Sequence, residues 1–112
     1  MAEINFAAPS DVGVVVRSHA RIATAPNKAR TYMIQMCKHF GHKIDVTFDD
    51  VHGRIVFGER VCELEVSAPD VLRISLSADS EASLHAVADI VDRHLRRFAF
   101  KEELQIQWVE GA

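Results

Sequence analysis

The stretch VCELEVSAPDVLRISLS, residues 61–77, decides the fold. In its first half Cys62, Leu64 and Val66 alternate with Glu63 and Glu65. In its second half Leu72, Ile74 and Leu76 alternate with Arg73, Ser75 and Ser77. A repeat of two puts successive side chains on opposite faces, so each half is a strand with one apolar and one polar side. Ala68-Pro69-Asp70 between them is a tight turn, with proline presetting the backbone angle. Clean alternation of this kind belongs to antiparallel sheets with one covered face; fully buried parallel strands read as continuous apolar runs.

The same pattern extends outward. Toward the N-terminus, Ile44, Val46 and Phe48 oppose Lys43, Asp45 and Thr47. Asp49-Asp50-Val51-His52-Gly53 reads as a hairpin loop, and residues 54–57 as the return strand. Gly58-Glu59-Arg60 is a further turn. A helix is expected from Asn27, taken as its cap, with Ala29, Tyr32, Met33, Met36, Cys37 and Phe40 at helical spacing and Gly41 as a left-handed stop. Before it, residues 14–23 alternate again: Val14, Val16, Ser18, Ala20 and Ile22 face in, while Arg17, His19 and Arg21 face out. Toward the C-terminus, Asp79 or Ser80 caps a second helix whose stripe is Leu84, Val87, Val91, Leu95 and Phe98. Asp89 with Arg93 and Asp92 with Arg96 form i,i+4 pairs on its wet side. Leu104, Ile106 and Trp108 face inward along a last strand over residues 104–109. The expected architecture is α+β, in the order β-α-β-β-β-β-α-β: one antiparallel sheet of about six strands with two helices on one face.

Composition fits one domain. The chain has 112 residues and is 48% apolar, in the globular range. Residues 1–12 are expected to be a flexible tail and residues 13–112 the α+β domain. The net charge is −3 with neutral histidines, and protonating all six would take it to +3. Such a balance gives no electrostatic reason to expect nucleic acid or an anionic membrane as partner. No apolar run is long enough to span a bilayer, and the first residues lack the basic start and apolar run of a signal peptide, so a cytoplasmic location is expected. The two cysteines are expected to be free and buried.

The histidines carry what chemistry there is. Cys37 and His39 are two residues apart on one helix, so their side chains diverge by about 200° and cannot share an ion. No second pair at chelating distance accompanies them, so no metal site is expected. His39 and His94 each lie late in a helix, at the edge of its apolar stripe. If the two helices pack side by side, both imidazoles reach one cleft; otherwise each closes the core edge against a backbone carbonyl. His42 and Lys43, just past the first helix, are placed to meet its last free carbonyls or an anion. His19, His52 and His85 receive no role. No glycine-rich phosphate loop or assembled nucleophile motif is present.

The segment CKHFGHK, residues 37–43, and the segment HLRRFAFKEE, residues 94–103, resemble the two signatures of the bacterial domain-of-unknown-function family numbered twenty-two-eighteen. The resemblance runs over roughly residues 18–109. It brings no established activity. It implies an association with iron or siderophore metabolism, with a flavin-dependent siderophore-interacting reductase as a partner. Two functional readings stand side by side with a structural one. In the first the chain is a small binding or accessory module for a small molecule, its site lined by His39, His42, His94, Arg97 and Glu102, with no cofactor specified. In the second it is a small enzyme with His39 or His94 as general acid or base and Arg97 holding an anionic group. In the third it is a purely structural or oligomerising domain.

Overall fold

The computed structural model describes residues 15–111. The expected tail, residues 1–12, lies outside the described residues, as does Val14. The described residues form β1 (Val16–Ala23), α1 (Ala29–Phe40), β2 (Asp45–Phe48), β3 (His52–Phe57), β4 (Arg60–Ala68), β5 (Val71–Ala78), α2 (Glu81–Phe98) and β6 (Val109–Glu110). The six strands make one sheet in the order β2-β3-β4-β5-β1-β6. Every pairing is antiparallel. The order of elements and the single antiparallel sheet are those the alternation predicts.

Strands β2 to β5 are a meander of successive hairpins. Their turns are built from local chemistry. The Asp49 carboxylate accepts the backbone N–H groups of Val51 and His52, both at 2.8 Å. That Asx turn is the usual reason for an aspartate at such a place. Gly58 turns β3 into β4 with φ of +67°, a conformation that favours glycine. Strand β1 then pairs with β5, Ser18 opposite Leu76 and Ile22 opposite Leu72. The inward rows predicted from the sequence are buried: Ala20 and Ile22 on β1, Cys62 and Leu64 on β4, Leu72, Ile74 and Leu76 on β5.

Both helices lie on this apolar side. Met33, Met36 and Cys37 of α1 and Leu84, Val87, Val91 and Leu95 of α2 join the strand residues in one core. Ser80 caps α2, its hydroxyl accepting the Ser83 N–H at 3.1 Å. The wet-side pairs form, Arg93 to Asp89 at 2.9 Å and Arg96 to Asp92 at 2.7 Å. No helix is long and apolar enough to cross a membrane.

Three local expectations need correction. Asn27 does not cap α1. It takes a left-handed φ of 62°, which asparagine tolerates, and Lys28 occupies the cap position without a side-chain bond. The helix start is tied instead to the β4–β5 turn, Ala29 N–H donating to the Pro69 carbonyl at 3.2 Å. Gly41 is not left-handed, with φ −63° and ψ −14°; its N–H continues the helical bonding to the Cys37 carbonyl. Finally, the last strand is two residues long rather than six. Leu104 is buried, and Ile106 and Trp108 pack against the core as the alternation demands. The backbone between them is not laddered: the Leu104 carbonyl accepts Arg96 Nη1 at 2.8 Å. Only Val109 and Glu110 pair, with His19 and Ser18 of β1.

Helix α1 and the sheet fit closely at Gly53 on β3. A Cβ there would lie 2.7 Å from Cys37 Sγ and 3.6 Å from Met33 Cγ. Gly53→Ala should therefore lower stability by about 1–3 kcal/mol, the usual cost of overpacking a core. Urea denaturation should show the loss, and the Gly53→Ala/Cys37→Ala double variant should lose less than the sum of the two singles.

Candidate functional site

The two late-helix histidines meet. The His39 and His94 ring centroids are 5.1 Å apart, tilted by 46°. Phe40 stands edge-on to His39 at 4.9 Å and lies 4.8 Å from His94, and Phe98 stands edge-on to His39 at 5.6 Å. Phe57 of β3 backs Phe40 at 4.9 Å. An aromatic base rooted in the core thus carries two imidazoles, with His39 exposed and His94 half-buried.

Local structure orients one of them. His94 Nδ1 lies 2.7 Å from the Ile90 carbonyl one turn earlier. A carbonyl only accepts, so Nδ1 carries the proton and Nε2 is left for another partner. Around His39 the charges are all of one sign. Its pKa is lowered, first by desolvation against its neighbours and then by His94, Arg97, His42 and Lys43. His42, Lys43 and Arg97 are exposed and make no ion pair among the described residues. The Phe40 carbonyl at the end of α1 needs neither cation, because the backbone N–H groups of Lys43 and Ile44 both donate to it.

The resulting feature is a cationic imidazole face at the end of α1. Of the five residues expected at the site, His94, Arg97 and His42 act electrostatically on His39. Glu102 does not share this face. Its carboxylate accepts the Ala25 N–H at 2.9 and 3.1 Å and the Tyr32 hydroxyl, at the opposite end of α1. Burial, and then the bond to Glu102, push the Tyr32 hydroxyl pKa up to about 12. Glu102 is therefore an anchor. It supplies a negative charge near the start of a helix whose first turn holds no acidic residue.

The cysteines are core residues. Both are free and buried, and burial raises the Cys37 thiol pKa to about 11. A thiol so held is a poor nucleophile at neutral pH. A larger concavity of about 600 Å³ lies on the uncovered face of the sheet, beside His52, Arg54, Glu63, Glu65 and Arg73. Its charges are mixed, and two pairs of them meet, Arg54 with Glu63 at 3.3 Å and His52 with Glu65 at 3.6 Å.

Comparison with known proteins bears out the family resemblance. A family model described as "Uncharacterized protein conserved in bacteria (DUF2218)" matches residues 19–109. The chain belongs to this family. Among solved structures it is similar to the NMR structure of PA4090 from Pseudomonas aeruginosa, with 35% identity and a TM-score of 0.66 over 87% of this chain and 96% of that one. No curated protein matches the sequence. In this DUF2218 domain the sequence pattern anticipates the contact of the two imidazoles but not the place of Glu102 at the start of α1. The signal that separates it is Tyr32, the one phenol on the α1 core face, whose hydroxyl needs a partner when buried.

Glu102→Ala removes both of those bonds and leaves a buried hydroxyl unpaired. It should destabilise the domain by about 2 kcal/mol. Tyr32→Phe should cost less, about 1 kcal/mol. Thermal melts of the two variants check the order, and neither should alter chemical shifts of the His39 and His94 rings.

Proposed function

We propose that this domain is a small binding module whose ligand is an anion seated on the His39–His94–Arg97 face. The observation that supports the reading is that every charge acting on His39 is positive. Like charges gathered on an aromatic base repel one another, and an anion relieves that repulsion. Arg97 offers the forked donor set suited to carboxylate or phosphate, while His39 and His94 Nε2 add ring donors when protonated. His42 and Lys43 extend the same field.

An association with iron or siderophore metabolism is the specific form of this reading that the family resemblance implies. Catecholate and carboxylate chelates of ferric iron are anions of the required kind, and a flavin-dependent siderophore-interacting reductase would be the partner. The imidazole contact also favours a second reading, general acid–base catalysis on the bound anion. His94 is held with Nε2 open, 5.1 Å from His39 between ring centroids. The two readings share a ligand class, so a compound found to bind is the one to assay for turnover.

The sign of the pH dependence follows from the titration. The His39 pKa lies below its ordinary value when the site is empty, and a bound anion raises it. Affinity should therefore climb as pH falls through about 6.5 and level off below the pKa of the free site. Calorimetric titration with inorganic phosphate, citrate, ferric citrate and a ferric catecholate chelate should give saturable binding that is stronger at about pH 5.5 than at about pH 8. Arg97→Ala should weaken it about tenfold, a loss of about 1.4 kcal/mol. Absence of saturable binding by all four, or binding indifferent to Arg97→Ala and His39→Ala, would remove the proposal.

A further inference from the structure

A second polar cluster lies at the start of α2 and belongs to none of the chemistry above. His85 Nε2 is 2.8 Å from Glu110 Oε2 and 3.7 Å from Glu81 Oε1. One ligand atom from each of the three residues lies within 4.8 Å of the other two. Glu81 and His85 are i,i+4 neighbours on one side of the helix, and Glu110 comes from β6. The short pairing of β6 has a purpose in this light: Glu110 is opposite Ser18 in the register, which holds its carboxylate over the helix.

The charges are unbalanced. Two carboxylates converge on one imidazole, and the nearest arginines on α2 are already engaged, Arg93 by Asp89 and Arg96 by Asp92. Glu81 and Glu110 bring carboxylate oxygens within 4.8 Å of each other beside the imidazole, and a cation between them would offset their repulsion.

An independent observation points the same way. The Ser18 hydroxyl is buried, on a residue 3% exposed, and has no hydrogen-bond partner among the described residues. Ser18 belongs to the helix-facing row of β1, with Ala20 and Ile22. It lines a cavity of about 360 Å³ together with His85, Asp89, Asp92, Trp108 and Glu110. Buried hydroxyls are rarely left unpaired, and a water or ion entering this open cleft would satisfy one. The wall of that cavity is acidic, and the Glu81–His85–Glu110 cluster stands at its rim.

We infer that Glu81, His85 and Glu110 bind a divalent transition-metal ion, whose remaining positions take water from the cavity under Ser18. Metal–ligand bonds of about 2.0–2.2 Å put neighbouring donors roughly 3 Å apart, and small side-chain rotations bring the three atoms there. One imidazole with two carboxylates suits zinc, manganese or ferrous iron. Calcium and magnesium prefer oxygen alone, and cuprous copper prefers thiolates. The two carboxylate charges match the charge of the ion.

Zinc chloride titrated calorimetrically into the full chain should give one site. His85→Ala and Glu110→Gln should each weaken it at least about tenfold, while His94→Ala should leave it unchanged. Because all three side chains are exposed, these variants should fold, which circular dichroism checks. Manganese added at low stoichiometry should broaden amide resonances around residues 81–85 and 109–110. Three results would overturn the inference: no saturable zinc binding, binding that survives both His85→Ala and Glu110→Gln, or binding abolished by His94→Ala with broadening centred on residue 39. The last would assign the metal to the imidazole face instead.

Discussion

The seating of α1 on strand β3, where the Cys37 thiol lies against the bare Cα of Gly53, sets the geometry of everything on the helical side. A helix that carried a larger residue opposite a non-glycine strand position would ride higher. Here the close approach lets Met33 and Met36 sink fully into the core. It also carries the last turn of α1 down to the sheet, where Phe40 meets Phe57 edge-on. That contact places His39 and Phe40 beside His94 of α2. The imidazole face is thus a consequence of interior packing. Its histidines are positioned by helices and core aromatics, not by a loop, and rigid supports of this kind hold a site better than loops do.

Far from that contact, the other end of α1 is held by a long-range tie. The Glu102 carboxylate bridges Ala25 and Tyr32. It also fixes where the chain goes after α2, since the residues that follow must cross from the start of α1 back to β1. Arg96 takes the Leu104 carbonyl on the way. The chain can therefore keep its alternating burial, Leu104, Ile106 and Trp108 inward, without strand pairing until Val109. Side-chain burial and backbone laddering are separate demands, and this segment satisfies the first while meeting the second only at its end.

That separation explains what was legible in the sequence. Burial periodicity was: the inward rows of β1, β4 and β5, the α2 stripe and the order of elements follow from which residues avoid water. Local bonding was legible where a side chain acts on its own backbone, as at Ser80. It was not where the partner is distant. Asn27 looks like a cap because nothing nearby reveals that Pro69 and Glu102 serve the start of α1. The placing of β1 between β5 and β6 is equally hidden, because every strand carries the same alternation and none specifies its neighbour. At the candidate site the imidazole pair could be anticipated from two edge positions, given helices packed side by side. Glu102 could not be placed, since proximity in the signature segment says nothing about which end of α1 it reaches.

Six histidines on a chain with net charge −3 suggest a molecule whose charge changes sign as a whole on mild acidification. The environments argue otherwise. His39 is surrounded by positive groups, and its pKa is lowered. His85 is bonded to Glu110 and flanked by Glu81, and its pKa is raised. As pH falls, His85 therefore gains its proton first and His39 later. Stability responds with opposite slopes. The contribution of His85 is complete below about pH 6.5 and is lost as pH rises through its raised pKa, whereas protonating His39 works against the fold below about pH 6.5. The two groups thus divide the surface by sign, a cationic end built on aromatic rings and an acidic end built on carboxylates. The two proposed sites therefore differ in sign, one suited to an anion and the other to a cation.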